Sequence, residues 1–260
     1  MFQRSLALFG RAAVIVTALA AFSRSPLRAD EFSAPQKAEI ESIIKSYLVS
    51  NPEILRDVAA ALEAKEKLEE SKIREQVLSD KDNPLHNDAS QAVIGNPQGA
   101  VTLVEFFDYN CGYCKRALGD LARLMKDNPD LRVVLRDLPI LRQESVDAAK
   151  VANAASIQLK GQKLWEFHQK LLATRATVGK GEAVGAAKDA GADLDKLAKD
   201  AASPEVTAAI EQSMELAKKL NITGTPSYVI GDEVVVGAVG YPDLQSKIAA
   251  VRKCGKAVCS

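Results

Sequence analysis

Cys111 and Cys114 stand two residues apart, directly behind the apolar run Val101-Thr102-Leu103-Val104-Glu105-Phe106-Phe107. Sulfur at that spacing can do two kinds of chemistry. It can exchange electrons as a dithiol–disulfide couple, or it can supply half of a tetrahedral zinc site. The residues after Cys114 read as a helix, so the pair lies where a buried strand hands the chain to a helix N-terminus. Free backbone N–H groups and the positive end of the helix dipole favour an anion there. The thiolate is the reactive form of cysteine, so Cys111 is expected to have a lowered pKa and to be the attacking group. Cys114, one turn further on, can close the disulfide and release a trapped substrate. No second C-x-x-C occurs in the chain, which favours the redox reading over the zinc reading.

Three further groups bear on that chemistry. Thr225-Pro226 precedes the strand-like Ser227-Tyr228-Val229-Ile230. A proline is tolerated at a strand's first residue, and X-Pro is where a cis peptide costs little; an ordinary trans turn proline is the alternative. Glu105 is a lone carboxylate within an apolar strand. Burial would raise its pKa and let it take a proton from Cys114; alternatively it is a strand-end acid paired with Lys115 or Arg116. Cys254 and Cys259 flank Gly255-Lys256-Ala257-Val258 near the C-terminus. They read as a local structural disulfide, or as a second redox couple exchanging with Cys111. His86 and His168 form no metal pattern with these cysteines, and His168 is placed on a helix face.

Positioning the dithiol requires strands on either side of it. Leu131-Arg132-Val133-Val134-Leu135-Arg136-Asp137 alternates like a second strand, and Gly231-Asp232 turns a hairpin into Val234-Val235-Val236-Gly237-Ala238-Val239. Between them, residues 144–219 are alanine-rich and helical, with breaks near Gly161, Gly179 to Gly185, Gly191 and Ser203-Pro204. A last helix is expected over residues 242–252. Ahead of the strands, residues 30–79 read as helical. Ser33 and Gln36 have capping-box spacing, and Ile40, Ile43, Ile44, Tyr47 and Leu48 share a face. Asn51-Pro52 restarts the helix, with Ser50 and Glu53 as its box. Leu55, Val58, Leu62, Leu68 and Ile73 make only a narrow apolar stripe on a charged helix. Such a helix either lies solvated against its own domain or is completed by copies of itself, as an oligomerisation arm.

The expected division is therefore 1–29, 30–79 and 80–260. The 260 residues carry 34 basic and 34 acidic side chains, so a polyanionic partner such as nucleic acid is not suggested. Apolar content of 47% argues against disorder. Arg4 and Arg11 precede an uncharged apolar stretch over residues 12–22, and Leu27-Arg28-Ala29 can end it. This reads as an export signal cleaved near Ala29, the alternative being an uncleaved anchor. Export would put all four cysteines in an oxidising compartment, the periplasm.

The C-x-x-C behind a strand, the helical insertion and the Thr-Pro before a hairpin together resemble the thioredoxin superfamily, specifically the DsbA-like disulfide oxidoreductases, over about residues 92–252. The resemblance implies an α/β thioredoxin-like fold with an inserted helical domain. It matches Cys111 to the nucleophile, Cys114 to the buried resolving cysteine, Pro226 to the cis-proline, Thr225 to the residue before it, and Glu105 to a buried acid. It further implies that Gly112, Tyr113, Thr225 and Pro226 contact an extended substrate peptide. Cys111-Gly112-Tyr113-Cys114 is similar to the motif of the disulfide isomerase DsbC, and the helical arm resembles that of ScsC-type members. The implied function is thiol–disulfide exchange on unfolded or misfolded exported proteins, in the isomerase or reductase direction, with no metal or organic cofactor. A DsbD-like or DsbB-like membrane partner would reset the site. A DsbA-like oxidase and a chaperone-like client-binding protein are the competing readings.

Overall fold

The computed structural model describes residues 32–80, 83–85 and 92–259. The proposed export signal lies outside the described residues. The chain divides into two compact units, one ending at Ala60 and the other beginning at Ala61.

The first unit holds α1 (Ala34–Ser50) and the start of α2 (Glu53–Ser79). Gln36 Oε1 accepts from the backbone N–H of Ser33 at 2.9 Å, which closes the expected capping box. The break between the helices differs from the expected one. Ser50 ends α1, and Asn51 caps it by donating Nδ2 to the Tyr47 carbonyl at 2.8 Å. Ile43, Ile44, Tyr47, Leu55 and Val58 all remain more than half exposed, and only Ile40 and Leu48 of the expected face are half-buried. Helix α2 runs unbroken to Ser79, and the division into compact units falls within it, at Ala60. The rest of α2 goes with the larger unit: Val77 is buried among its core residues, and Glu70 accepts a hydrogen bond from Asn221 at 3.1 Å.

The larger unit is built on a five-stranded sheet in the order β1-β3-β2-β4-β5. Its strands are β1 (Ala92–Gly95), β2 (Val101–Phe107), β3 (Leu131–Asp137), β4 (Ser227–Ile230) and β5 (Glu233–Val236). Only β2 and β3 are parallel, and they lie side by side in the middle of the sheet. Both are buried on both faces, which explains their nearly unbroken apolar runs. Leu103, Glu105 and Phe107 point to one face of β2, Val104 and Phe106 to the other. The first face carries α3 (Gly112–Asp127) and α9 (Tyr241–Cys254); the second carries α8 (Pro204–Lys219) through Leu216, Ala217 and Leu220. In α3 the buried positions are Cys114, Ala117, Leu121 and Leu124, a single stripe at helical spacing.

The insertion comprises α4 (Gln143–Gln158), α5 (Gln162–Ala173), α6 (Lys180–Asp189), α7 (Leu194–Ala201) and α8. Breaks fall close to the expected places, except that Gly181 and Gly185 lie inside α6. Helix α4 buries Ala148, Ala149, Ala152, Ala154 and Ala155. Side chains this small let α6, α7 and α8 all close upon it. The alanine richness of the sequence is thus a packing requirement of one central helix.

Candidate active site

Strand β2 ends at Phe107, and four residues later Cys111 forms the N-cap of α3, with extended backbone dihedrals. Between them, Asp108 ties the turn. Its backbone carbonyl accepts from Cys111 N at 2.9 Å, and its Oδ1 accepts from Asn110 N at 2.8 Å. The second oxygen, Oδ2, accepts from Leu141 N at 3.3 Å, linking the turn to the loop after β3. Both active-site cysteines are free thiols. Cys111 keeps 6% of its surface exposed and Cys114 none, so only the first sulfur can meet a substrate.

Electrostatics separates the two sulfurs in the same sense. The Cys114 thiol, hydrogen-bonded to Cys111, lowers the Cys111 pKa to about 5, with the Thr225 hydroxyl and the N–H groups of Cys114 and Tyr113 acting in the same direction against burial. Cys114 is pushed far up by its bond to Cys111, by burial and by the negative charge of Glu105. At neutral pH the pair therefore holds one thiolate and one thiol.

The other predicted residues converge on these sulfurs from distant parts of the chain. The Thr225–Pro226 peptide is cis, and the Thr225 carbonyl lies 3.1 Å from Cys111 Sγ, within reach of its proton while the sulfur is a thiol. Gly237 N donates to the Pro226 carbonyl at 2.8 Å, which fixes the segment ahead of β4. Gly112 and Tyr113 lie at the surface; Tyr113 is 60% exposed, and the Arg116 guanidinium stacks 4.1 Å above its ring. Glu105 is 1% exposed and faces Tyr228 across the β2–β4 pair. Burial raises its pKa to about 8 even though the Tyr228 hydroxyl hydrogen-bonds it, and its Oε2 has no partner. The alternative pairings do not form, since Lys115 Nζ donates to the Thr174 carbonyl at 2.6 Å and Arg116 covers Tyr113. A buried acid beside a buried thiol can pass a proton when that thiol attacks.

Cys254 and Cys259 are disulfide-bonded. Arg252, on the same last turn of α9, bonds Asn128 at 2.9 Å and Asp130 at 2.6 Å, just beyond the C-terminal end of α3. Cys111 caps the opposite end of that helix, about 24 Å away for 16 residues. Exchange between the two couples within one chain is therefore out of reach. The bridge instead secures the loop that packs on the β4–β5 turn, where Ala257 N donates to Asp232 Oδ1 at 2.9 Å. Gly231 is required in that turn: its φ is +56°, and a Cβ would meet Val251 Cγ2 at 2.8 Å. Replacing both cysteines by alanine should lower unfolding free energy by about 2 kcal/mol, as expected for so short a loop, and leave insulin reduction at Cys111 unchanged. Urea unfolding and a turbidity assay test this, and a loss of activity would restore the second-couple reading.

Sequence reasoning missed three polar residues beneath the site, Asp108, Asp137 and Asn110, and gave a fourth, His168, only its place on a helix face, here that of α5. Asp108 is buried, and Asp137, the last residue of β3 and in register with Phe107, is raised to about 8 by burial and by the Asp108 charge. His168 is wholly buried, with its Nδ1 3.2 Å from the Tyr109 hydroxyl, and burial lowers its pKa to about 3, so it is neutral. Asn110 bonds to the insertion. The one local signal was Asp108 two residues before Asn110, the spacing of an Asx turn. Among the described residues no group of three or more His, Cys, Asp or Glu could hold a metal ion.

A family model described as the DSBA-like thioredoxin domain matches residues 102–249, and one described as the copper resistance protein ScsC N-terminal domain matches residues 36–69. The crystal structure of a thioredoxin-like oxidoreductase from Silicibacter pomeroyi is 41% identical, with a TM-score of 0.63, covering 68% of this chain and 99% of that one. Proteus mirabilis ScsC in a transitional conformation is 30% identical, with a TM-score of 0.59 over 82% of this chain and 94% of that one. Among curated proteins, a Na(+)/H(+) antiporter NhaA 1 of Salinispora arenicola is 29% identical over 160 residues, 61% of this chain. The chain spans about a quarter of that antiporter's length, and among its described residues no helix is long and apolar enough to cross a membrane.

Proposed function

The chain belongs to the DsbA-like thioredoxin-domain family and is a thiol–disulfide oxidoreductase of the DsbA/ScsC type; from that premise we propose an exported protein that works mainly as a disulfide isomerase and reductase. The observation that carries the catalytic part is the asymmetry of the two sulfurs: one stabilised as a thiolate and reachable, the other buried and protonated.

In the reductive direction the Cys111 thiolate attacks one sulfur of a substrate disulfide. That S–S bond breaks, a mixed disulfide forms, and the other substrate sulfur leaves as a thiolate. Cys114 then loses its proton, for which Glu105 is the nearby acceptor, and attacks Cys111. The active-site disulfide forms and the second substrate thiolate departs. In isomerisation a substrate thiol resolves the mixed disulfide instead, so the dithiol emerges reduced. The dithiol itself carries the electrons, and no metal or organic cofactor enters any step. Clients are unfolded or misfolded exported proteins, lying as extended chain along Thr225 and Pro226 and against the exposed side chains of Tyr113, Ile140 and Leu141. A membrane redox partner of the DsbD or DsbB kind resets the couple.

Isomerisation needs a client held while a wrong disulfide is opened and remade. Several sites facing one space lengthen that contact through effective concentration. The unburied stripe through Ile43, Tyr47, Leu55 and Val58 supports a role in bringing copies together. Removing residues 30–60, the arm as far as the division between the units, should yield a monomer by light scattering. It should still reduce insulin, but reshuffle scrambled ribonuclease at least about tenfold more slowly. Unchanged reshuffling by a truncated monomer sinks the isomerase reading.

One observation favours oxidase activity as a second reading. A Cys111 pKa of about 5 stabilises the reduced state, and activated cysteines span about 3.5 to about 7.5, the lowest belonging to strong oxidants. Equilibration of the Cys111–Cys114 couple with glutathione separates the two. A potential near about −120 mV supports the oxidase, and one near about −200 mV or below supports the isomerase or reductase.

A further inference from the structure

The turn that leads into Cys111 is fastened to the helical insertion by one side chain. Asn110 Nδ2 donates to the Val178 carbonyl at 2.8 Å and to Ser145 Oγ at 3.1 Å. Its Oδ1 accepts from Val178 N at 2.8 Å. Ser145 belongs to the first turn of α4, Val178 to the connection between α5 and α6, and both are buried. The contact with Val178 is a matched pair, donor to carbonyl and acceptor to N–H, which a carboxylate or an apolar side chain cannot reproduce. On the other side of the dithiol, Lys115 Nζ donates to the Thr174 carbonyl at 2.6 Å. The 174–178 connection is thus tied to the chain both before Cys111 and after Cys114.

We propose that Asn110 is a positioning residue for the exchange reaction, locking the peptide that enters Cys111 to the insertion so that the N–H groups of Tyr113 and Cys114 stay aimed at the Cys111 sulfur. This rests on the reading of Cys111 as the nucleophile. Asn110 touches neither sulfur nor substrate in this role. It acts through the Asp108-to-Cys111 turn, whose bond from Cys111 N to the Asp108 carbonyl holds only if residue 110 stays in place. Without the tether the N-cap can rotate, and a hydrogen bond to sulfur weakens steeply as its angle degrades. The thiolate then loses stabilisation both as attacking group and as leaving group, so the effect extends to the couple's potential. The insertion, otherwise remote from the chemistry, would through this side chain help set the reactivity of the dithiol.

The test is a pH titration of the reduced protein, following thiolate absorbance and the iodoacetamide labelling of Cys111. Asn110→Ala should raise the Cys111 pKa by about one unit and slow labelling at pH 5 about fivefold, with the glutathione equilibrium shifting toward the oxidised form. Asn110→Gln, which keeps the amide, should recover at least part of the shift. A purely structural role would lower melting temperature without moving the thiolate pKa. If Asn110→Ala does not fold, Asn110→Ser takes its place under the same criteria. An Ala variant within about 0.2 units of the parent, or a Gln variant indistinguishable from Ala, overturns the proposal while the nucleophile assignment stands. A parent protein whose Cys111 labels no faster than free cysteine overturns both.

Discussion

Cys111→Ser should reduce insulin reduction by at least about 10³-fold, because the serine hydroxyl is not ionised at neutral pH, Cys114 is buried, and the other two cysteines are locked in a disulfide. Cys114→Ser should behave differently. Attack by Cys111 survives, but the mixed disulfide has no internal resolving thiol, so client proteins accumulate covalently bound to the variant. Mass spectrometry of reduced protein mixed with a disulfide-bearing client reads both results. The pH dependence follows from the lowered pKa of about 5. Labelling of Cys111 should rise about tenfold per pH unit up to that value and then flatten, while Cys114 stays unlabelled at neutral pH. The same shift appears in stability. Between pH 5 and the ordinary thiol value of 9.0 the unfolded chain binds more protons at Cys111 than the native protein does. Reduced protein should therefore gain stability relative to Cys111→Ser as pH rises through that window, and lose the advantage as pH falls through 5. Equal labelling of both sulfurs would remove the assignment of roles.

Glu105→Gln should have the second largest effect, and with the opposite sign of pH dependence. The carboxyl is raised from 4.5 to about 8, so between those values the native state binds more protons than the unfolded chain. Stability falls as pH climbs through the window, because ionising the carboxyl would place a charge in the core. Glutamine cannot ionise. The variant should gain on the order of 3 kcal/mol over the parent between pH 5 and pH 8, measured as the change in their difference by urea unfolding. Catalysis should suffer as stability improves. With no carboxylate to accept its proton, Cys114 should resolve mixed disulfides about ten- to hundredfold more slowly, a normal range for loss of a proton acceptor. Parallel pH slopes for the two proteins would show that the Glu105 pKa is not raised on folding, and an unchanged rate of resolution would remove the proton-transfer role.

The dithiol was legible because its signals are local. A strand-forming run, two cysteines and an amphipathic stripe of Cys114, Ala117, Leu121 and Leu124 all lie within one stretch of chain. Helix breaks in the insertion were legible for the same reason, since Gly161, Gly191 and Ser203-Pro204 act on the backbone where they stand. Strand β1 was not, because Ala92-Val93-Ile94-Gly95 is too short to show a period and becomes a strand only by pairing antiparallel with β3. The division of α2 between two compact units was not legible either, because α2 is one unbroken helix. Its division at Ala60 depends on which residues find a core, not on helix propensity.

By itself, the order of residues determined that one strand delivers two sulfurs to a helix N-terminus, that Thr225-Pro226 stands before a second strand, and that a helical block separates them. Which sulfur is reachable, and what surrounds it, was decided only by tertiary structure. Thr225 reaches Cys111 across 114 positions of sequence, and Val178 reaches Asn110 across 68. Glu105 is raised because burial in the sheet takes it out of water, against the pull of the Tyr228 hydrogen bond, and Asp137 because it is buried near the charge of Asp108. Propensity and spacing act between neighbours along the chain. Desolvation and charge act through space, so the pKa values that make the dithiol reactive exist only once the chain has folded.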